Sequence, residues 1–440
     1  MSGRWKRSRY ALLFPSFDGH GVVYHALNGS VTLLDPDANG RARAVLWRPN
    51  YPYRSEDYRR LHGEFRKLGC IVPAGLDELA QAKKAHRAAR RQKSDLSLTL
   101  APTLDCNLRC VYCFEGTHPN IYWTPDQEDA VFEFADRHLR PGGNLSVHWF
   151  GGEPLLALDT VLRFSRRLMD LAAGRQASWT CGMVTNGVLL TPETFAALEA
   201  VECYDFQVTL DGPKAVNDRL RRGRRGESPF DTILGNLRAL DLSRASMRLR
   251  VNILKQTAAH AMDLIRQLAS EGFAEQLSVY LAAVDATTKA CHGMDGACLS
   301  PEEFAEWHFG SLLELEDLGF PSECLPTPMQ SYCGADRGNS FVIDARGDIF
   351  KCWNHVGLPE HRIGNIGEAK SMRPEKESWA DWDPFADREC AECPVLPSCV
   401  GGCPSAARDS LSKARKCIHV KHKLADYLNF HVWKHMRDAV

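Results

Sequence analysis

Three cysteines stand close together in the stretch LDCNLRCVYCFEG: Cys106, Cys110 and Cys113, spaced C-x3-C-x2-C. Three thiolates are one short of a tetrahedral zinc site and one more than a disulfide uses. They suit an iron–sulfur cube, because one short loop can reach three of its corners. The remaining iron then has an open position for the amine and carboxylate of a small molecule. A zinc site completed by a distant ligand would use the same triplet, and it stands as the alternative.

A second set lies in the C-terminal third. Cys333 is followed by Gly347 and Cys352, then by Cys390, Cys393, Cys399 and Cys403 in the order C-x2-C-x5-C-x3-C, and last by Cys417. A zinc-ribbon-like module is the alternative to iron–sulfur chemistry here too. Cys70, Cys181 and Cys203 lie in or beside apolar runs and read as small buried hydrophobes. Cys291 and Cys298, in TTKACHGMDGACLS, read as loop residues.

The elements that must position these thiols show in the hydrophobic pattern. From about residue 96, the strand-like runs LSLTLAPTL, NLSVHWF, WTCGMVT, YDFQVTL, MRLRVNIL and LSVYLAAV alternate with helical segments such as DQEDAVFEFADRHL and PETFAALEAV. Strand–helix alternation of this kind makes a parallel sheet, and six units make a partial barrel. Cys106, the GGE at 151–153, the TNG at 185–187, Asp211 and Asn252 all follow strands. They fall on the C-terminal rim, where barrels place their chemistry. The basic run RLRRGRRGE after the fourth strand reads as a carboxylate grip or as a solvated loop.

Ahead of the barrel, residues 8–75 read as a separate unit of three short strands, YALLFPS, GVVYHAL and SVTLLDP, followed by an amphipathic helix ending at Gly69. The basic stretch from Lys83 to Lys93 reads as a solvated linker helix, or as a seat for an acidic partner. The formal net charge of −1 on 440 residues gives no global field favouring nucleic acid or an anionic membrane. No apolar run is long enough to span a bilayer, and the first one stops at Pro15. The expected location is cytoplasmic. Sixteen cysteines in a reducing compartment argue for metal or redox chemistry over disulfides.

With Tyr112 between Cys110 and Cys113, the triplet resembles the signature of the radical S-adenosylmethionine enzymes. Gly151, Gly152 and Glu153 resemble the GGE element that holds the methionine amine in that family. The likeness implies a [4Fe–4S] cluster on Cys106, Cys110 and Cys113, and S-adenosylmethionine on its open iron. It implies further cofactor contacts from Asn186, Asp211 and Asn252. The seven cysteines at 333–417 resemble a SPASM domain, which implies two more [4Fe–4S] clusters. Cys333, Cys352 and Cys403 would serve one, with Cys324 a candidate fourth ligand. Cys390, Cys393, Cys399 and Cys417 would serve the other.

The expected architecture is therefore α/β. Residues 1–80 would form a winged-helix-like peptide-recognition unit and 81–95 a linker helix. Residues 96–320 would be the partial (β/α)6 TIM-like barrel, 321–425 the cysteine-rich SPASM domain and 426–440 a C-terminal helix. The expected activity is crosslinking of a ribosomally made precursor peptide of leader plus core. An external one-electron reductant such as flavodoxin or ferredoxin is implied, with neither nucleic acid nor membrane as partner. Formylglycine formation on a sulfatase and peptide epimerisation are the alternatives, and a non-catalytic iron–sulfur carrier is a third class. In the sulfatase-maturing branch an Asp follows the cysteine of G-x4-C and serves as base. Here Trp353 follows Cys352.

Overall fold

The computed structural model describes residues 4–285, 292–322, 325–368, 382–408 and 417–437. Cys291 and Cys324 lie outside them. The chain divides into two compact units. One comprises Met1–Arg90, Glu323–Tyr332 and Ala380–Val440, the other Arg91–Ser322 and Cys333–Trp379. No described helix is long and apolar enough to cross a membrane.

The first unit opens with β1 (Trp5–Arg7), β2 (Ala11–Pro15), β3 (Gly21–His25) and β4 (Ser30–Leu34). Helices α1 (Pro36–Trp47) and α2 (Glu56–Lys67), strand β5 (Ile71–Pro73) and helix α3 (Glu78–Arg91) follow. β2, β3 and β4 form an antiparallel meander, and β1 pairs with β5. The three expected strands and the helix ending before Gly69 are present, with Gly69 at φ +77°. Helix α1 was not anticipated. Its start is signalled by Asp35, whose side chain accepts from Ala38 N at 2.5 Å, and by Pro36 in the first turn. Val23 of β3 packs with Val45, Leu46, Leu61 and Phe65 of the two helices. Each such buried side chain contributes roughly 1.5–3 kcal/mol. The α3 stretch is not a solvated linker. Ala82 and His86 are buried, and Lys83 and Arg87 both meet Asp383, each at 3.1 Å.

The second unit holds β6 (Leu96–Leu100), β7 (Leu108–Cys110), α4 (Pro125–His138), β8 (Asn144–Trp149), α5 (Leu158–Gly174), β9 (Ser178–Thr185), α6 (Pro192–Glu199) and β10 (Cys203–Thr209). It continues with α7 (Lys214–Leu220), β11 (Arg221–Gly223), α8 (Pro229–Ala239), β12 (Ser246–Ile253), α9 (Ala258–Ser270), β13 (Ser278–Ala283), α10 (Pro301–Asp317), β14 (Ser340–Ile343), β15 (Asp348–Phe350) and β16 (Gly364–Asn365). The six expected strands lie side by side and parallel in the order β13-β12-β10-β9-β8-β6. The sheet then continues beyond expectation. β14 pairs parallel with β6, and β15 and β16 add antiparallel.

The two faces of this sheet differ. In β8, Leu145, Val147 and Trp149 are fully buried, and the Trp149 indole donates to Ser165 Oγ of α5 at 3.1 Å. The alternate residues Ser146 and His148 face the other way and stay partly open. The same alternation puts Asp205 and Gln207 of β10, Arg248 and Arg250 of β12, and Tyr280 of β13 on the open face. A closed barrel fills its interior with packed apolar side chains. This concave face is instead polar and accessible.

The C-terminal part of the first unit has α11 (Arg388–Glu392), α12 (Leu396–Cys399), α13 (Pro404–Arg408) and α14 (Leu424–Arg437). Leu424, Leu428 and Val432 of α14 pack under Tyr10, Val22 and Tyr24. The meander is thus covered on both faces.

Candidate active site

The cysteine triplet leaves the end of β6 on a loop held at both sides. On one side, β7 within the loop pairs antiparallel with β11, placing Arg221 opposite Cys110 and Arg222 opposite Arg109. The basic run is therefore a strand that clamps the cysteine loop. On the other side, the end of β8 lies along the loop's entrance. Phe150 N donates to Leu100 O at 2.9 Å, Gly152 N to Thr103 O at 3.3 Å and Glu153 N to Asp105 O at 2.9 Å. The glycines are required by this approach. Gly151 has φ +108°, and a Cβ on Gly152 would stand 2.2 Å from Asp105 O.

Glu153 is fully buried and fully engaged. It accepts from Leu155 N at 3.1 Å, Thr185 Oγ1 at 2.7 Å and Asn186 N at 2.7 Å. Asn186 in turn donates to Asn107 Oδ1 at 2.6 Å and lies 3.8 Å from Cys106 Sγ. Tyr112 is the centre of a second network. Its hydroxyl donates to Asp211 and accepts from Arg221 Nη1 at 2.7 Å and Asn252 Nδ2 at 3.2 Å. Asp211 also accepts from Asn252 N at 3.0 Å, and Arg250 Nε donates to Asn252 Oδ1 at 2.8 Å. Tyr112, Gly151, Gly152, Glu153, Asn186, Asp211 and Asn252 are thus gathered around the triplet by the strand ends that carry them.

The electrostatics follow from burial. Burial raises the Cys106 thiol, and the Glu153 carboxylate adds to the rise. Cys113 is pushed up to about 12 by burial and then by Glu115. Cys110 is also raised by burial, although the Arg221 guanidinium opposes the shift. Left to themselves these thiols stay protonated, and a cationic iron centre is what would make them thiolates. Arg221 is buried, and its Nε has no hydrogen-bond partner. An anionic ligand group is what such an orphan donor calls for. Sequence reasoning left Arg221 undecided between grip and loop, because the pairing of β11 with β7 is not a local signal.

On the open face, His148 Nε2 and Asp205 Oδ2 are 3.9 Å apart across Gly182. A Cβ at Gly182 would lie 3.2 Å from the His148 ring and 3.0 Å from Asp205 O. Phe114 stacks on Phe150 at 6.2 Å, and Trp353 leans on Phe150 at 5.0 Å and on His148 at 6.0 Å. An aromatic wall therefore runs from the residue after Cys113 to the residue after Cys352.

All fourteen described cysteines are thiols. Cys70, Cys181 and Cys203 are buried as expected. Cys298 lies in a loop before α10, as expected, but is 3% exposed and packs with Val216, Leu220 and Leu254. Cys333 and Cys352 belong to the barrel unit, whereas Cys390, Cys393, Cys399, Cys403 and Cys417 belong to the other. Cys399 is pushed up to about 11 by burial and by nearby Cys393 and Cys417. The Lys421 ammonium donates to Cys417 Sγ at 3.6 Å and is raised by the sulfurs of Cys417, Cys393 and Cys399, against the effect of its own burial. Among the described residues no three His, Cys, Asp or Glu side chains are grouped as one metal ion would need.

A profile described as Radical SAM superfamily matches residues 100–269, the span that carries the triplet, GGE and the barrel strands β8, β9, β10 and β12. The chain carries a radical SAM domain over residues 100–269. Radical SAM enzymes use a [4Fe–4S] cluster and S-adenosylmethionine, and the three raised thiols with the orphan Arg221 Nε fit both. This radical SAM chain is 24% identical over 350 residues to a cysteine-type anaerobic sulfatase-maturating enzyme of Clostridium perfringens. That match covers 72% of this chain and 90% of that protein. It is 26% identical over 332 residues to mycofactocin maturase MftC of Mycolicibacterium smegmatis, covering 71% and 78% respectively. Among solved structures, Streptococcus suis SuiB bound to precursor peptide SuiA aligns with a TM-score of 0.54 at 14% identity, over 94% of this chain and 99% of SuiB. A structure of anSMEcpe with bound AdoMet aligns with a TM-score of 0.58 at 19% identity, over 78% of this chain and 95% of that one.

Proposed function

We propose that this radical SAM enzyme is a peptide maturase that joins two residues of a ribosomally made peptide through a thioether, ether or carbon–carbon bond. Cys106, Cys110 and Cys113 would hold the cluster. Glu153, Asn186, Asp211, Asn252 and Arg221 would shape the S-adenosylmethionine site. When bound, these groups supply a 5′-deoxyadenosyl radical, and the protein's part is to aim it and exclude water. Tyr112, held by three partners, fixes the loop on which the thiols sit. The polar concave face offers room and hydrogen-bonding groups for an extended peptide segment.

The observation that carries the crosslinking reading is Trp353. The position after Cys352, where the sulfatase-maturing branch has an Asp base, holds an indole packed on Phe150 and His148. The likeness to SuiB supports the peptide reading as well. It spans 94% of this chain against 78% for anSMEcpe, a difference comparable in length to the N-terminal unit. That unit has an open sheet edge at β4, which pairs with no further strand among the described residues. A leader peptide would add there as an extra strand. The seven cysteines at 333–417 would hold two further clusters, which supply one-electron acceptors for closing a bond.

Formylglycine formation is the second reading, favoured by the extent of the match to the Clostridium perfringens sulfatase-maturating enzyme. Mass spectrometry separates the readings. A candidate precursor from a neighbouring reading frame is incubated anaerobically with enzyme, S-adenosylmethionine and a strong reductant. Crosslinking lowers the mass by about two units and blocks fragmentation between the joined residues. An aldehyde at Cys or Ser would support formylglycine formation. Unchanged mass with deuterium gained from heavy water would mean epimerisation.

A further inference from the structure

The N-terminal unit carries a charge pattern that the net value conceals. Between residues 4 and 75 there are twelve Lys or Arg and six Asp or Glu, a balance of +6 within a chain of −1. Among the described residues Arg60 with Asp57, 3.9 Å apart, is the only ion pair these twelve cations make. An unpaired cationic surface of this kind raises the local concentration of anions.

Two of these cations, Arg4 and Arg59, line a cleft of about 370 Å³ together with Trp5, Asn50, Tyr51 and His62. Arg4 and Arg59 have no acidic partner among the described residues. Tyr51 in this lining is 56% exposed, one of the two most exposed large hydrophobic side chains described. Exposed aromatic and guanidinium groups in one patch are the composition of binding hot spots.

The cleft also carries a peptide-like feature. Asn50 caps the edge of β1 that faces away from β5, where its Oδ1 accepts from Trp5 N and its Nδ2 donates to Trp5 O, both at 2.7 Å. The carboxamide thus copies the donor–acceptor pair that a neighbouring strand would present. A ligand in the cleft therefore meets side chains, with the backbone of Trp5 already satisfied.

We propose that this cleft docks an acidic segment of the peptide substrate, with carboxylates on Arg4 and Arg59 and an apolar side chain on Tyr51. The inference rests on the reading that the substrate is a peptide. It adds a charge-selective site separate from the β4 edge.

The test is fluorescence anisotropy on the full-length protein. The probes are a short fluorescein-labelled peptide of alternating glutamate and leucine and its twin with glutamine in place of glutamate. The glutamate peptide should bind about tenfold more tightly than the twin and weaken as salt rises. Arg4→Ala with Arg59→Ala should cost about tenfold, whereas Arg41→Ala with Arg43→Ala on α1 should cost less than about twofold. Equal losses in the two double variants, or no binding by the wild type, would overturn the site. Tighter binding of single-stranded DNA at the same residues would overturn the choice of partner. The outcome is separable from that of the maturase reading. If a precursor is modified with unchanged KM by the Arg4/Arg59 variant, the cleft fails and the maturase stands. If no precursor is modified while the glutamate peptide binds through Arg4 and Arg59, the reverse holds.

Discussion

Cys106, Cys110 and Cys113 sit on a loop tied to strand β11 on one side and to the end of β8 on the other. Cys390, Cys393, Cys399 and Cys403 sit on short helical turns with no strand paired along them among the described residues. Distant segments reach α11 and α12 only at single points: Arg9 at Ala391 O, Met329 N at Pro397 O at 2.9 Å and the Tyr24 hydroxyl at Ser398 Oγ at 2.7 Å. Asp387 caps Cys390 N at 3.0 Å, Cys393 N donates to Cys390 O at 3.0 Å, and Gly402 N donates to Cys399 O at 2.8 Å. The backbone beside Cys399 turns through left-handed conformations at Val400, Gly401 and Gly402. Scaffold built from distant strands can hold a loop in place before any cofactor arrives. Local turns of four or five residues are marginal alone and gain most from a ligand that ties them together. The two regions should therefore respond differently when their thiols are removed.

The largest expected contrast is in chemistry. Replacing Cys106, Cys110 and Cys113 together by Ala should abolish S-adenosylmethionine cleavage and remove about four irons of about twelve, with circular dichroism unchanged. Replacing Cys390, Cys393, Cys399 and Cys417 should also remove about four irons. It should spare uncoupled cleavage and make the first unit more sensitive to proteolysis. Iron assay and 5′-deoxyadenosine measurement on both variants break the contrast if the two behave alike.

Next in size is Gly152→Ala, which drives a methyl group into Asp105 O. Expected is about a hundredfold loss of S-adenosylmethionine affinity, read by equilibrium dialysis, because the strand ends that carry the triplet and Glu153 must part. Tyr112→Phe should follow. It leaves Arg221, Asn252 and Asp211 each short of a buried partner, at a cost of about 2 kcal/mol in denaturant unfolding. The smallest effect belongs to Thr124→Ala, which removes the capping box that Thr124 forms with Gln127 at the start of α4. A loss of about 1 kcal/mol is expected, with iron content and cleavage unchanged. It marks how much stability the barrel can lose without disturbing either set of thiols.

The six parallel strands were legible because each is an apolar run bounded by turn residues, and that signal is local. The GGE glycines were legible as a motif, although the reason for them, the close passage of residues 103–105, is visible only in the fold. What escaped is mostly non-local. The pairing of β14 with β6 joins segments far apart in the chain, and the docking of α3 depends on Asp383. The polar concave face is a different case, because its signal was present and passed over. Parallel strands covered on both faces read as continuous apolar runs. SMRLRVNI and YDFQVTL alternate instead, with Arg248, Arg250, Asp205 and Gln207 on one side. Alternation in a strand otherwise marked as parallel is the signature of an unfilled interior.

The pairing of β14 with β6 also bears on how the protein is made. Ser340 lies beside Ser97 and Ile343 beside Leu100, so the inner edge of the first barrel strand stays uncovered until the ribosome has delivered more than two hundred further residues. At roughly 5–20 residues per second that is a delay on the order of ten seconds or more. Throughout it, β6 presents an open apolar edge, the kind that recruits other chains. A chain cut short before Ser340 would keep that edge permanently and should collect in inclusion bodies, however intact its cysteine triplet.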